Sequence, residues 1–344
     1  MVAKVKIGFT SFIILFYIFL TLPQTAKSID IIRDTELENF TNEIISILLN
    51  DYDLSSEELN IYFIKSDEIN AFVTAGKNMF INTEIIVKSE DYREYAAVIA
   101  HELSHILGGH IFNTQIEISN LSTKALPVYL LGIIGIISGS TDSGIAGVMV
   151  GQASIADGFT YYSRTQEASA DQAAVKILCN SGISANFLIT FLQKLEAKGG
   201  GMNSNSQNYR STHPSIDNRI TLINSALVNN DKCEFRKDYL LDKKFKLLKA
   251  KLHGFTHPFD ETNAVYNSKN DIDLYATAVS NYFQGQHKKS IENLKILLAR
   301  DSTNPYYNEL LGEIYFANND YSNAATYQLN AISYVESIND LYYM

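Results

Sequence analysis

His101-Glu102-Leu103-Ser104-His105 sets two imidazoles four residues apart, with a carboxylate next to the first. On a helix residues four apart share a face, so both rings reach one metal ion while Glu102 projects beside them towards a bound water. The residues around the motif, Ala96 to Ala100 together with Ile106 and Leu107, are apolar. They predict a buried helix from Arg93 to His110, stopped at Gly108-Gly109. A catalytic zinc needs a third protein ligand and one open position. Glu167, in the helical stretch from Ser163 to Leu178, is the best candidate. Asp171 lies one turn on and faces the same way, so it can accept a hydrogen bond from the nitrogen of His101 or His105 that does not bind metal. His110 lies past the glycines and out of phase with the pair, which gives it a structural role.

The elements that must hold these residues read as α+β, a small sheet packed on helices. Leu37 to Asn50 is a helix with Phe40, Ile44, Ile45 and Leu48 on one stripe. Leu59 to Ser66 alternates like a strand, and Ala71 to Ile86 reads as a hairpin turning at Ala75-Gly76-Lys77-Asn78. This mixed pattern fills residues 29–228. Residues 229–270 form a helical connector, with a charge-rich helix from Asp242 to Gly254 and a turn at His257-Pro258. In residues 271–344, Ala278, Tyr282, Ile291 and Leu298 align with Gly312, Tyr315, Ala324 and Ala331. That period of 33 to 34 residues is the length of a tetratricopeptide repeat, and the second copy resembles that family through Leu311-Gly312, Tyr315, Tyr321, Ala324 and Ala331.

The chain has 344 residues, 46% of them hydrophobic and 19% charged, which excludes disordered and fibrous classes. Its formal charge of -10 repels phosphate backbones, so no nucleic-acid partner is expected. Residues 1–28 carry Lys4 and Lys6, an apolar run to Leu22, then Pro23 and the small residues Ala26 and Ser28. This reads as a secretory signal peptide, or, uncleaved, as an N-terminal anchor. Either form puts the remainder outside the cytoplasm, where Cys179 and Cys233 could pair. Residues 125–158 are apolar and Gly-rich, with no Lys, Arg or Glu. The segment reads as a two-helix hairpin beside the site, serving as core packing, as a lid or as a lipid-touching surface.

H-E-x-x-H at 101–105 followed by S-R-x-x-E-x-x-A-D at 163–171 resembles the gluzincin zinc metallopeptidases of the HtpX and CAAX prenyl protease type. The leader, the Ile32-Arg33-Asp34-Thr35-Glu36 opening, Asn70-Ala71-Phe72 and the repeat tail resemble their periplasmic branch, the beta-barrel assembly-enhancing proteases. The resemblance implies a zincin-like domain binding one Zn2+ through His101, His105 and Glu167, with Glu102 as general base. It places Thr212 to Arg219 near the site, where His213 and Arg219 become candidate catalytic donors. His213 is either a plug on the open metal position or a donor to the oxyanion. The leading reading is degradation of misfolded or stalled outer-membrane proteins, whose unfolded strand segments suit the edge that the hairpin ending in Phe80-Ile81-Asn82 offers for main-chain hydrogen bonds. Outer-membrane assembly machinery would then bind the repeats. The other function class is an envelope chaperone or adaptor that works through the repeats, its metal site latent.

Overall fold

Asp34 caps the first helix of the computed structural model, which describes residues 30–110, 162–199, 213, 216–228 and 235–335. The expected leader, the apolar hairpin at 125–158, Cys233, Thr212 and Pro214 lie outside the described residues. The Asp34 carboxylate accepts from the Leu37 amide at 2.9 Å, and α1 (Thr35–Leu48) buries the apolar stripe read from the sequence. Strands β1 (Ile31–Ile32), β2 (Asn60–Ile64), β3 (Ala71–Thr74) and β4 (Asn78–Asn82) form one sheet in the order β1-β2-β4-β3. β3 and β4 are an antiparallel hairpin whose turn needs left-handed backbone at Gly76 and Lys77, with φ of 82° and 58°.

Two sequence expectations change here. The peptide edge expected at Phe80-Ile81-Asn82 is not an edge, because β4 pairs on one side with β3 and on the other, in parallel, with β2. Its interior place is set by an aromatic ladder in which Phe80 stacks on Tyr62 at 5.0 Å and on Phe72 at 4.9 Å between centroids. Among the described residues β3 is the outer strand of the hairpin. The strand pattern expected to run to Ile86 ends at Asn82, where α2 (Thr83–Lys88) starts at once, with Glu84 and Lys88 paired one turn apart at 3.0 Å.

Helices complete the layer: α3 (Tyr92–Leu107), α4 (Arg164–Asn180), α5 (Asn186–Gly199), α6 (Ile216–Val228), α7 (Tyr239–Thr256) and α8 (Phe259–Val265). α3 is capped by Asp91, and α4 opens on a capping box between Ser163 and Gln166. α3 packs on α4, and α4 on α6. A single apolar cluster runs through α1, the sheet, α3, α4 and α5 to Ile223 of α6 and Phe245, Leu248 and Leu252 of α7. Cys179, near the end of α4, is disulfide-bonded. No helix among the described residues is long and apolar enough to cross a membrane.

The tail is two helix pairs, α9 (Asp271–Phe283) with α10 (His287–Arg300) and α11 (Pro305–Ala317) with α12 (Tyr321–Tyr334). The repeat offset read from the sequence recurs in the helix starts, since 34 residues separate Asp271 from Pro305 and His287 from Tyr321. α7 feeds both cores, its Leu247 joining Leu274, Tyr275, Leu294, Leu311 and Ile314 in the tail cluster. Gly254 lets α7 and α9 approach closely, because a Cβ there would overlap the Ala276 carbonyl.

One buried ion cluster spans this junction. Lys251 Nζ lies 2.6 Å from Asp34 and 3.2 Å from Glu36, and the Tyr275 hydroxyl donates to Glu36 at 2.8 Å. Burial opposes the charge on Lys251, but the two carboxylates hold its pKa far above the ordinary lysine value. Lys251→Met is therefore expected to lower stability by about 3–5 kcal/mol, the cost of leaving buried carboxylates uncompensated. Thermal melts of both proteins check this, and equal midpoints would show that the cluster is not linked to the fold.

Candidate metal centre

The α3 sequence buries its histidines because nearly every neighbour on the helix is apolar, and both His101 and His105 are fully enclosed. The small side chains of Ala100 on α3 and of Ala170 and Ala174 on α4, all buried, let the two helices approach. That contact delivers Glu167 to the histidine pair. His101 Nε2 and His105 Nε2 are 3.1 Å apart, and Glu167 Oε1 is 3.3 Å from His105 Nε2. Glu167 Oε2 is 3.5 Å from His101 Nε2. A fourth donor comes from far along the chain: His213 Nδ1 stands 3.0 Å from Glu167 Oε1 and 3.4 Å from His101 Nε2.

Behind this group Asp171 Oδ1 lies 3.0 Å from His101 Nδ1, leaving Nε2 for the centre. Arg219 donates through Nε and Nη2 to the two Asp171 oxygens, both at 2.8 Å, and its Nη1 is 3.0 Å from Glu167 Oε2. The guanidinium thus braces both carboxylates from behind. His110 also joins the site. Its Nδ1 is 3.0 Å from His105 Nδ1, because Gly109 (φ 63°) turns the chain back and Gly108 has no Cβ to block the ring. The two glycines that read as a helix stop therefore serve to bring a third imidazole against His105. Sequence phase missed this contact because His110 is no longer in the α3 register. Tyr162 is the other unforeseen member, its ring stacked on His105 at 3.6 Å between centroids.

Charge makes the group unbalanced without a cation. Burial holds His105 well below the ordinary histidine value, so it offers a neutral lone pair. Burial and Arg219 also push His101 down, yet its hydrogen bonds to Asp171 and Glu167 bring it above that value. Burial would raise Glu167, but Arg219, His213 and the two α3 histidines hold it well below the carboxylate range. The surrounding carboxylates thus favour a positive charge at His101, and a metal ion bound there would compete with a proton for it.

Glu102 is different. It is fully buried, neither oxygen has a hydrogen-bond partner among the described residues, and burial pushes its pKa up to about 8. His213 Nε2 is 3.4 Å from Glu102 Oε1.

These donors fit zinc. Tetrahedral Zn–N and Zn–O bonds of about 2.0–2.1 Å set neighbouring donors about 3.3 Å apart; five of the six donor pairs here, taking the nearer Glu167 oxygen for each, are separated by 3.0 to 3.5 Å, and all four donors lie within 4.8 Å of one another. The nitrogen and carboxylate composition and complete burial suit a zinc site as well.

The model of peptidase family M48 matches residues 32–227. The beta-barrel assembly-enhancing protease of Yersinia pestis is 26% identical over 201 residues, covering 58% of this chain and 40% of that protein. The protease HtpX homolog of Helicobacter pylori is 29% identical over 216 residues, covering 56% and 68%. The mitochondrial metalloendopeptidase OMA1 of Bos taurus is 27% identical over 187 residues, covering 50% and 34%. The alignments span about 40% of the length of the assembly-enhancing proteases they match.

Proposed function

The chain belongs to peptidase family M48, and from that premise we propose that it is a zinc-dependent endopeptidase with His101, His105 and Glu167 as ligands and Glu102 as general base. The observation that carries this reading is a buried carboxylate with no hydrogen-bond partner among the described residues, Glu102, beside the four convergent donors that include the three proposed ligands. Zinc bound there supplies Lewis acidity, acidifying water and polarising a scissile carbonyl. Glu102 accepts the proton of the attacking water at its carboxylate and passes it to the departing amine. Asp171 fixes the His101 ring, and Arg219 keeps Asp171 and Glu167 ionised, so Arg219 positions ligands from the side away from substrate. Zinc content measured together with casein cleavage tests the assignment. A zinc-loaded protein that cleaves no unfolded chain would reject it.

The site of action is the periplasm and the substrates are misfolded or stalled outer-membrane proteins, readings supported by the leader pattern and by the relatives' names. The tail acts as tetratricopeptide-like repeats that engage outer-membrane assembly machinery, a reading supported by the 34-residue offset of its helix pairs. A chaperone or adaptor with a latent metal site would use the same tail, but it has no need of the Glu102 carboxylate.

His213 acts as a plug on the open metal position. Its Nδ1 faces Glu167 and His101 while Nε2 rests against Ala71 O at 3.2 Å, an orientation that suits a ligand better than a donor to a substrate oxygen. His213→Ala is expected to raise basal casein cleavage roughly tenfold, as when a competent state populated about a tenth of the time becomes the only one. An oxyanion donor predicts the opposite, a loss on the order of 10²-fold in kcat. Unchanged activity would reject both roles.

A further inference from the structure

The connector carries a further set of metal-binding side chains, His253-x-x-x-His257-x-x-x-Glu261. His253 lies in the last turn of α7, His257 closes that helix, and Glu261 stands in the first turn of α8, across Pro258. One ring nitrogen of each histidine and a Glu261 carboxylate oxygen all lie within 4.8 Å of one another. The two rings stack at 4.0 Å between centroids, and Tyr266 meets His253 edge-on at 5.1 Å. Two threonines decide which nitrogens are free. The Thr256 hydroxyl donates its one proton to Leu252 O at 2.7 Å, so in its 2.8 Å contact with His257 Nδ1 it accepts. Thr262 repeats the arrangement, donating to His253 O at 3.5 Å and meeting His253 Nδ1 at 3.2 Å. Each Nδ1 therefore carries the hydrogen and each Nε2 keeps a lone pair, as outer hydrogen bonds arrange for histidines that bind metal. A buried carboxylate adds negative charge: Glu84 Oε2 of α2 is 3.7 Å from His257 Nε2, while its Oε1 pairs with Lys88. Lys88 and Lys249 act the other way, disfavouring a positive charge at His253.

We propose that His253, His257 and Glu261 form a second zinc site, weaker than the centre on α3 and α4, which fills when free zinc rises. Two imidazole nitrogens and a carboxylate are a common donor set for zinc. Donors up to 4.8 Å apart stand wider than the about 3.3 Å of tetrahedral zinc, and the exposed Glu261 and the partly exposed His257 are free to close that gap. This closure and the two lysines lower the affinity, which separates the site from the preformed centre. An ion held there bridges the turn at His257-Pro258 and fixes α8 against the end of α7. Since α7 places Leu252 in the main core and Leu247 in the tail core, and α8 packs on α9, zinc stiffens the joint between the two cores.

The untagged full chain, already loaded at the α3–α4 centre, is titrated with further zinc chloride by calorimetry. Wild type is expected to take up about one additional equivalent, and both Glu261→Gln and His257→Gln should weaken that step by more than the roughly tenfold that an outer partner carries. Glu261 is exposed and Gln keeps its shape, so this variant tests the ligand without disturbing the fold. Added zinc should also raise the melting temperature of wild type and leave that of Glu261→Gln where it was, because only an ion bound to the folded state stabilises it. No additional equivalent in wild type, or one that survives both substitutions, overturns the site. An equivalent lost in His257→Gln alone marks an adventitious surface imidazole and overturns it as well. Absence of zinc from the α3–α4 centre would instead count against the endopeptidase reading, and the comparison of wild type with Glu261→Gln still decides the second site.

Discussion

Glu102→Gln is expected to leave zinc content unchanged and to lower peptide cleavage on the order of 10³-fold. The substitution keeps shape and volume in a fully enclosed position and touches none of the three proposed ligands, so the metal stays. What it removes is the proton acceptor. The wild-type carboxylate has no hydrogen-bond partner among the described residues to share that task, and the 3.4 Å contact with His213 Nε2 is too long to take its place. Metal analysis and kcat measured on one preparation check the prediction. Near-wild-type cleavage would remove Glu102 from the role, whereas loss of zinc would show that it helps to hold the ion.

Glu167→Ala is expected to act on the metal itself, weakening zinc by more than the roughly 10- to 100-fold typical of outer hydrogen-bonding partners. Glu167 is the only carboxylate among the four convergent donors, and without it Arg219 faces the histidines with Asp171 as its remaining carboxylate partner in the cluster. The positive charge of Arg219 would then oppose the ion. A ligand that binds the folded state at about 100 times its Kd adds about 2.7 kcal/mol of stability, and a 100-fold weaker site adds about 0.4. Thermal melts with and without a chelator should therefore differ in wild type and nearly coincide in Glu167→Ala. Full occupancy in the variant would move the third ligand elsewhere.

Much of the centre was legible in the chain because its parts are local. His101 and His105 share a helix face by spacing alone, and Glu167 and Asp171 do the same on α4. The Asp34, Asp91 and Ser163 caps and the apolar stripes mark the helix starts for the same reason, since each depends on residues within one or two turns. The family resemblance carried His213 and Arg219 towards the site without saying what they contact.

Sequence by itself therefore determined the α+β class, the helix bearing the histidine pair, the partner helix with its carboxylates, and the repeat offset of the tail. Each follows from a short-range period, 3.6 residues on a helix or 34 in the repeats. Tertiary structure decided which strand is the edge. β4 and β3 read alike, and only the parallel pairing of Asn60–Ile64 with Asn78–Asn82 puts β4 inside the sheet and leaves β3 outermost among the described strands. It also decided that Arg219 braces Asp171 and Glu167, that Lys251 of α7 ties Asp34 and Glu36 at the tail junction, and that His110 and Tyr162 enclose His105. Such contacts join residues far apart in the chain, or beyond a left-handed glycine that breaks the helical phase. No local period records them, and they form because burial leaves each charge or ring few other partners.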